Sequence, residues 1–387
     1  MSSCRTMKIA FFSNSFLPYL SGITLSIKTL KDELRALGHT VFIVGPRYPG
    51  YAETDPQILR LLSLPATYPG YRLVFPYSYR IFSLLKKEKI DLVHAHQPFG
   101  VGMAALLLAR RMKIPFVYSF HTLFSRYVHH APFIPQRLAK RAVAAYLTFF
   151  CQQADTVIVP SEMVRRLLAL RGVKTPVKII PTGLKLGAIK RKMEIGNWEL
   201  EIKKKHGIPE KAKILLYSGR LSEEKNVPFL LKAFDAIRAQ EKDVYFILVG
   251  GGPKEKEYRR QAPENTIFTG QIEHAEVLGY YLASALFIYA STTETQGLVL
   301  TEAKACGLPV VAVFGGGISD VVGNGLDGYL VPRNQGKFVE HVLRLLRNDG
   351  LRKEMSIKAE EDAHLRFSSA VVAKRMENVY NSLIKEG

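Results

Sequence analysis

Cysteine is scarce. Cys4, Cys151 and Cys306 are odd in number and widely spaced. They leave no disulfide framework and no zinc-ligand spacing, and they point to a reducing cytosol. Long apolar runs are also missing. The longest, such as 142–151, is too short to span a bilayer, and the opening MSSCRTMKIAFF lacks the apolar core of a signal peptide. The chain is therefore expected in the cytoplasm, free or peripheral on the inner face of the cell membrane. There is no G-x-G-x-x-G fingerprint at the first βα turn, which argues against a nicotinamide cofactor. Neither a tandem repeat nor a low-complexity tract is visible. Acid is in short supply: 34 Asp and Glu stand against 54 Lys and Arg, a net charge of +20. The deficit is uneven. Residues 1–183 hold 24 Lys and Arg against 8 Asp and Glu, a net +16, and residues 184–387 hold 30 against 26. A basic first half asks for an anionic partner, with nucleic acid and anionic lipid as the obvious choices.

What is present has the rhythm of two α/β halves. At 387 residues the chain is long for one core and right for two domains. The boundary is expected at 183/184. Residues 8–13 read as a buried strand, Gly22 opens an amphipathic helix to Leu37, and Val41–Val44 is the next strand. That is the opening of a Rossmann-like parallel sheet. Gly22 in the first βα turn lets a phosphate or sugar approach the backbone, though a plain turn also fits. Residues 90–96 form a strand ending in His94 and His96. Residues 116–120 form another, ending in His121-Thr122. Ligands of parallel sheets lie beyond the carboxyl ends of strands, so His96 and His121 are site candidates and His94 is read as structural. Residues 79–89 read as a helix with a basic face of Lys86, Lys87 and Lys89. Residues 132–152 read as another, with Arg137, Lys140 and Arg141 against an apolar face. Each fits a helix packed on the core and a membrane-surface helix alike.

The second half repeats the pattern. After the strand at 213–218 comes Gly219-Arg220, then Lys225, then a helix near Val227-Pro228, proline being suited to a first turn. Arg220 and Lys225 suit phosphate, one by a planar fork and one as a point charge. In STTETQGLVLTEAKACGLP, residues 291–309, Glu294 and Glu302 stand eight apart around Gly297. Gly297 reads as a helix entry. The N–H groups of Gly297, Leu298 and Val299 would there face a diphosphate, with Glu302 one turn in. A capped helix with a chance pair of acids is the competing reading. Residues 185–208 read as connector plus a short helix, and the chain finishes with helices at 336–348 and 351–385.

The stretch ETQGL followed by EA-x-A-x-GLPVVA resembles the E-x7-E signature of retaining family 4 glycosyltransferases with the GT-B fold. Thr301 and Lys304 depart from the apolar residues usual there. G-R-x-x-x-E-K-N at 219–226 matches the same family's donor-phosphate pair, Arg220 and Lys225. HTLFSRYVHH at 121–130 resembles a segment of the bacterial diacylglycerol glucosyltransferases within that family.

The resemblance implies two Rossmann-like domains facing across a cleft, with the last helix crossing back to the first domain. The first domain would face acceptor and membrane, and the second would bind a nucleotide sugar. By the resemblance, His121 and Glu294 lie at the transferring sugar, with Thr122 and Tyr127 bordering the acceptor. Gln271 and Ile272 meet the base, and Glu302 the ribose. It implies transfer of a hexose, from UDP-glucose in preference to GDP-mannose, to a lipid such as diacylglycerol. No further cofactor or metal is expected. A soluble or phosphorylated acceptor, a pyridoxal phosphorylase and a basic nucleic-acid-binding protein are the alternatives.

Overall fold

Two sets of strands, each apolar nearly end to end, define the architecture. The structure is a computed structural model that describes residues 5–19, 21–65, 72–75, 78–123 and 135–386. It divides into two compact units, residues 1–183 with 369–387, and residues 184–368.

In the first unit the strands are β1 (Lys8–Phe12), β2 (Thr40–Pro46), β3 (Ile58–Leu61), β4 (Ser63–Pro65), β5 (Arg72–Val74), β6 (Leu92–Ala95), β7 (Phe116–Ser119), β8 (Thr156–Val159) and β9 (Val177–Ile179). Seven form one parallel sheet in the order β3-β2-β1-β6-β7-β8-β9, and β4 and β5 pair as an antiparallel hairpin. The helices are α1 (Gly22–Ala36), α2 (Tyr79–Lys87), α3 (Val101–Met112), α4 (Gln136–Gln152) and α5 (Glu162–Leu170), joined by α14 (Ser369–Glu386) from the far end of the chain. Alternation along β1 splits the core. Ala10 and Phe12 pack with α3 and α4, while Ile9 and Phe11 pack with α1 and α14. Burial on both faces is what an all-parallel sheet requires.

α14 is held by more than apolar contact. Tyr380 bonds His94 Nδ1 at 2.6 Å, and Glu377 bonds His39 Nε2 at 3.0 Å. His39 Nδ1 accepts the Met7 N–H at 3.2 Å, so its proton sits on Nε2 and the ring donates to Glu377. The expected return of the last helix to the first sheet is thus observed.

The second unit contains α6 (Leu186–Ile195), α7 (Trp198–His206), β10 (Lys213–Ser218), α8 (Val227–Arg238), β11 (Val244–Val249), α9 (Glu255–Gln261), β12 (Thr266–Gly270), α10 (His274–Ala283), β13 (Leu286–Tyr289), α11 (Leu298–Ala305), β14 (Val310–Val313), β15 (Gly328–Val331), α12 (Gln335–Arg347) and α13 (Asp349–Phe367). Its parallel sheet runs β12-β11-β10-β13-β14-β15 over a single apolar core. The order reverses between β10 and β13, the position where doubly wound sheets open a crevice.

Two expectations need correction. Residues 185–208 are two helices, not a connector with one; Trp198 packs on the core and its indole N–H bonds the Lys192 carbonyl at 2.7 Å. The helix read at 351–385 is two, broken at Ser368. Its extended backbone (φ −55°, ψ 132°) ends α13.

Candidate active site

In the second unit the switch-point strands deliver the charged residues. Gly219-Arg220 follows β10, and a short 3-10 turn over Glu223–Lys225 leads to α8. β13 ends in Tyr289, and the chain then runs through Ser291 to Glu294. The two loops are stitched together: Ser291 Oγ donates to the Glu224 carbonyl at 3.2 Å, and Asn226 Nδ2 to the Ala290 carbonyl at 3.5 Å. Their side chains converge. The Lys225 ammonium pairs with Glu294 Oε1, and the Tyr289 hydroxyl donates to the same oxygen at 2.7 Å. Burial raises the pKa of the Glu294 carboxyl. The Lys225 charge, with hydrogen bonds from Lys225, Tyr289 and Ser291, overrides that and holds it below the ordinary value. Glu294 is therefore an anion at neutral pH, with 17% of its side chain exposed.

α11 begins immediately after Gly297. That residue is the N-cap at φ 86°, in the left-handed region, and no side chain caps the end. The positive φ is what favours glycine here; a Cβ would also press on Leu300 Cδ1 at 2.7 Å, the end of a side chain that can turn. The Leu300 N–H bonds the Gly297 carbonyl at 3.0 Å. The first N–H groups of a helix have no intrahelical acceptor, so this end carries the positive end of the dipole. Glu302, one turn in, accepts from Tyr281 OH at 3.1 Å and His274 Nε2 at 2.9 Å. The hydrogen bond to Glu302 raises the His274 pKa. Arg220 is exposed, and its carbonyl accepts from Tyr217 OH at 3.0 Å. Gln271, exposed, and Ile272, half-buried, lie between β12 and α10.

The structure thus brings Lys225 into contact with Glu294 and sets Glu302 one turn into the helix that Gly297 opens. It adds residues the sequence reading missed. Tyr217, Tyr281 and Tyr289 are buried, and their hydroxyls reach the Arg220 carbonyl, Glu302 and Glu294. A tyrosine closing an apolar strand, as Tyr289 does, was the available signal, because a buried hydroxyl needs a partner. Gly315-Gly316-Gly317, which follows β14, supports the Glu294 loop. The Gly317 N–H bonds the Glu294 carbonyl at 2.7 Å, and a Cβ on Gly317 would overlap the Thr295 carbonyl. Thr301 and Lys304 are both fully buried. Thr301 Oγ1 bonds the Leu298 carbonyl at 2.6 Å. The Lys304 ammonium meets the Val321 carbonyl at 2.6 Å, Asp327 at 2.9 Å, and Asp362.

In the first unit the histidines gather beyond β6 and β7. His96 Nδ1 and His121 Nε2 are 3.1 Å apart, with the rings stacked at 5.4 Å. Burial pushes the His121 pKa down to about 4 and that of His96 well below its usual value. Both rings are neutral at pH 7. Along with Ser26, Ser119 and Thr182 they line one small cavity. His94 is structural, bonded to Tyr380 and to Ser119 Oγ at 2.8 Å. Gly22 is the first residue of α1, whose end is capped by Ser21 Oγ accepting the Thr24 N–H at 3.2 Å. Thr122 is half-buried, and Tyr127 lies outside the described residues. Lys86 and Lys87 are exposed on α2, with Lys89 exposed just beyond it. Arg137, Lys140 and Arg141 are exposed on α4. Leu147 and Phe150 bury the apolar face read for that helix, whereas Leu138 near its start is 60% exposed.

Comparison with known proteins gives the family and the fold. The model "Glycosyltransferase Family 4" matches residues 20–187, and "Glycosyl transferases group 1" matches residues 199–362. The alpha-monoglucosyldiacylglycerol synthase of Streptococcus pneumoniae is 36% identical over 320 residues, covering 79% of this chain and 71% of that one. The protein of the same name from Acholeplasma laidlawii is 28% identical over 391 residues, covering 98% of each. Among solved structures, a glycosyltransferase from Rickettsia africae superposes with a TM-score of 0.79 at 18% identity, covering 99% of this chain and all of that one. The fold is that of the GT-B enzymes, and the chain belongs to the family 4 glycosyltransferases, making it a hexosyltransferase.

Proposed function

We propose that the enzyme transfers glucose from a nucleotide sugar, UDP-glucose in first place, to the free hydroxyl of a diacylglycerol with retention at the anomeric carbon. One observation carries the donor half of this reading. At the switch point of the second sheet, Lys225 from the turn before α8 meets Tyr289 and Glu294, and the Glu294 loop leads on to the uncapped start of α11. An ammonium, a guanidinium on Arg220 and helix-start N–H groups are what a departing diphosphate needs. The anomeric carbon–oxygen bond to phosphate breaks, the acceptor oxygen bonds that carbon from the same face, and the acceptor's proton passes to the leaving diphosphate. Glu294, held anionic, faces the sugar and the positive charge that develops on it. Glu302 takes the ribose hydroxyls, and Gln271 and Ile272 border the base. In the first unit, Gly22 lies toward the donor. The neutral His121 ring hydrogen-bonds a sugar hydroxyl, with Thr122 and Tyr127 toward the acceptor.

The lipid acceptor is supported by the names of the two relatives and by the basic first half. Lys86, Lys87, Lys89, Arg137, Lys140 and Arg141 would meet anionic headgroups at the cytoplasmic face. The test is turnover of UDP-glucose with diacylglycerol in anionic vesicles, read by mass spectrometry. Glu294→Gln and Lys225→Ala should each lower turnover by more than about tenfold with unchanged melting curves. Near-normal turnover in both would remove the site assignment. Equal activity on a water-soluble acceptor without lipid would remove the lipid.

A further inference from the structure

The β4–β5 hairpin has two unlike faces. Its register pairs Leu64 with Leu73, and the Phe75 N–H continues the ladder to the Leu62 carbonyl at 2.9 Å. Side chains alternate along a strand, so Leu62, Leu64, Leu73 and Phe75 fall on one face. All four are exposed, at 64%, 56%, 65% and 53%. The opposite face is anchored. Val74 packs against the core, and the Arg72 guanidinium bonds Ser63 Oγ at 2.8 Å and the Ser63 carbonyl at 2.9 Å. The ladder therefore holds four large apolar side chains in water with nothing over them among the described residues. A patch of this kind marks a docking surface.

Charge selects the occupant. Tyr79, 73% exposed, begins α2 only four residues after Phe75, a reach of at most about 14 Å. Exposed Arg80, Lys86 and Lys87 follow on that helix. An exposed apolar face followed in the chain by a helix of exposed cations matches an anionic bilayer, whose headgroups take the cations while its acyl chains take the leucines. A second copy of the chain would bring like charges together.

We propose that the β4–β5 hairpin is a membrane-insertion element, seating Leu62, Leu64, Leu73 and Phe75 below the headgroups of an anionic bilayer. This rests on the lipid-acceptor reading above. The experiment measures sedimentation with vesicles that mix phosphatidylcholine and phosphatidylglycerol, at low and high salt. It compares the native chain, Leu64→Ser/Leu73→Ser and Lys86→Ala/Lys87→Ala. The serine variant should bind about tenfold or more weakly at both salt concentrations, because the apolar contribution is not screened. The alanine variant should be weakened at low salt alone. A Leu73→Trp chain should gain emission that brominated lipids quench. Native binding by the serine variant would overturn the hairpin assignment and leave the lipid reading intact. Failure of the native chain to bind vesicles at either salt concentration would overturn both. A native dimer that the serine substitutions split into monomers, seen by light scattering, would give the face to self-association and overturn the proposal.

Discussion

Tyr289→Phe removes one hydroxyl from Glu294 and leaves the ring stacked on Tyr217, 5.7 Å away. A hydrogen bond to a charged group is worth about 1.5 kcal/mol or more, so turnover should fall on the order of tenfold. The melting temperature of the variant should fall by only a few degrees, so the folded enzyme can be assayed and positioning separated from folding. At this scale the sequence shows the charged participants and hides their holders. Glu294, Lys225 and Gly297 stand out in the sequence as candidates by residue type and spacing, and the family resemblance is what separates them from a chance pair of acids on a capped helix. The Tyr281 contact to Glu302 joins residues on two elements, and nothing in local pattern links them. Lys304 is the clearest case. Its local context asks for an apolar residue, and its partners Asp327 and Asp362 come from other elements. A buried ammonium is tolerable only where carboxylates meet it.

Gly317 belongs to the scale of elements. It lets the turn after β14 press flat against residues 294–296 of the Glu294 loop, and its N–H bonds the Glu294 carbonyl. Gly317→Ala puts a methyl group into backbone that cannot step aside. About 2 kcal/mol of stability should be lost, lowering the melting temperature by roughly 4–8 °C. Turnover should fall with it, since the loop that aims Glu294 must shift. Undiminished melting and turnover would show that the loop has room. Strand and helix existence was readable wherever an apolar run or a 3.6-residue period stood clear, as in β1, α1, β10 and α11. It failed at α6 and α7, whose surfaces are largely charged and whose burial depends on packing against α10. It failed also at Ser368, where a single extended residue interrupts a helical pattern without any proline or glycine to announce it.

For the whole molecule, the buried histidines set an acid limit. Burial holds His94 and His96 well below the ordinary imidazole value and His121 at about 4. An unfolded chain protonates each near pH 6.5. Below that pH the unfolded state binds protons that the folded state refuses. Stability is therefore full above about pH 6.5 and declines as pH falls toward 4, by about 1.4 kcal/mol per pH unit for each fully buried ring. Urea midpoints should drop between pH 7 and pH 5, and His96→Asn should flatten that slope. A midpoint that rises or stays level over this interval would contradict the neutral, buried state of the rings. The two-sheet plan itself was legible because each half repeats strand, turn and helix.

The seat of α14 has a further consequence for biosynthesis. Residues 8–183 emerge from the ribosome with the His94 and His39 positions already encoded, but Tyr380 and Glu377 arrive only after all of residues 184–368 have been translated. The second unit is one unbroken stretch and can reach its final state as soon as it clears the exit tunnel. The portion of the enzyme made first is thus the portion completed last.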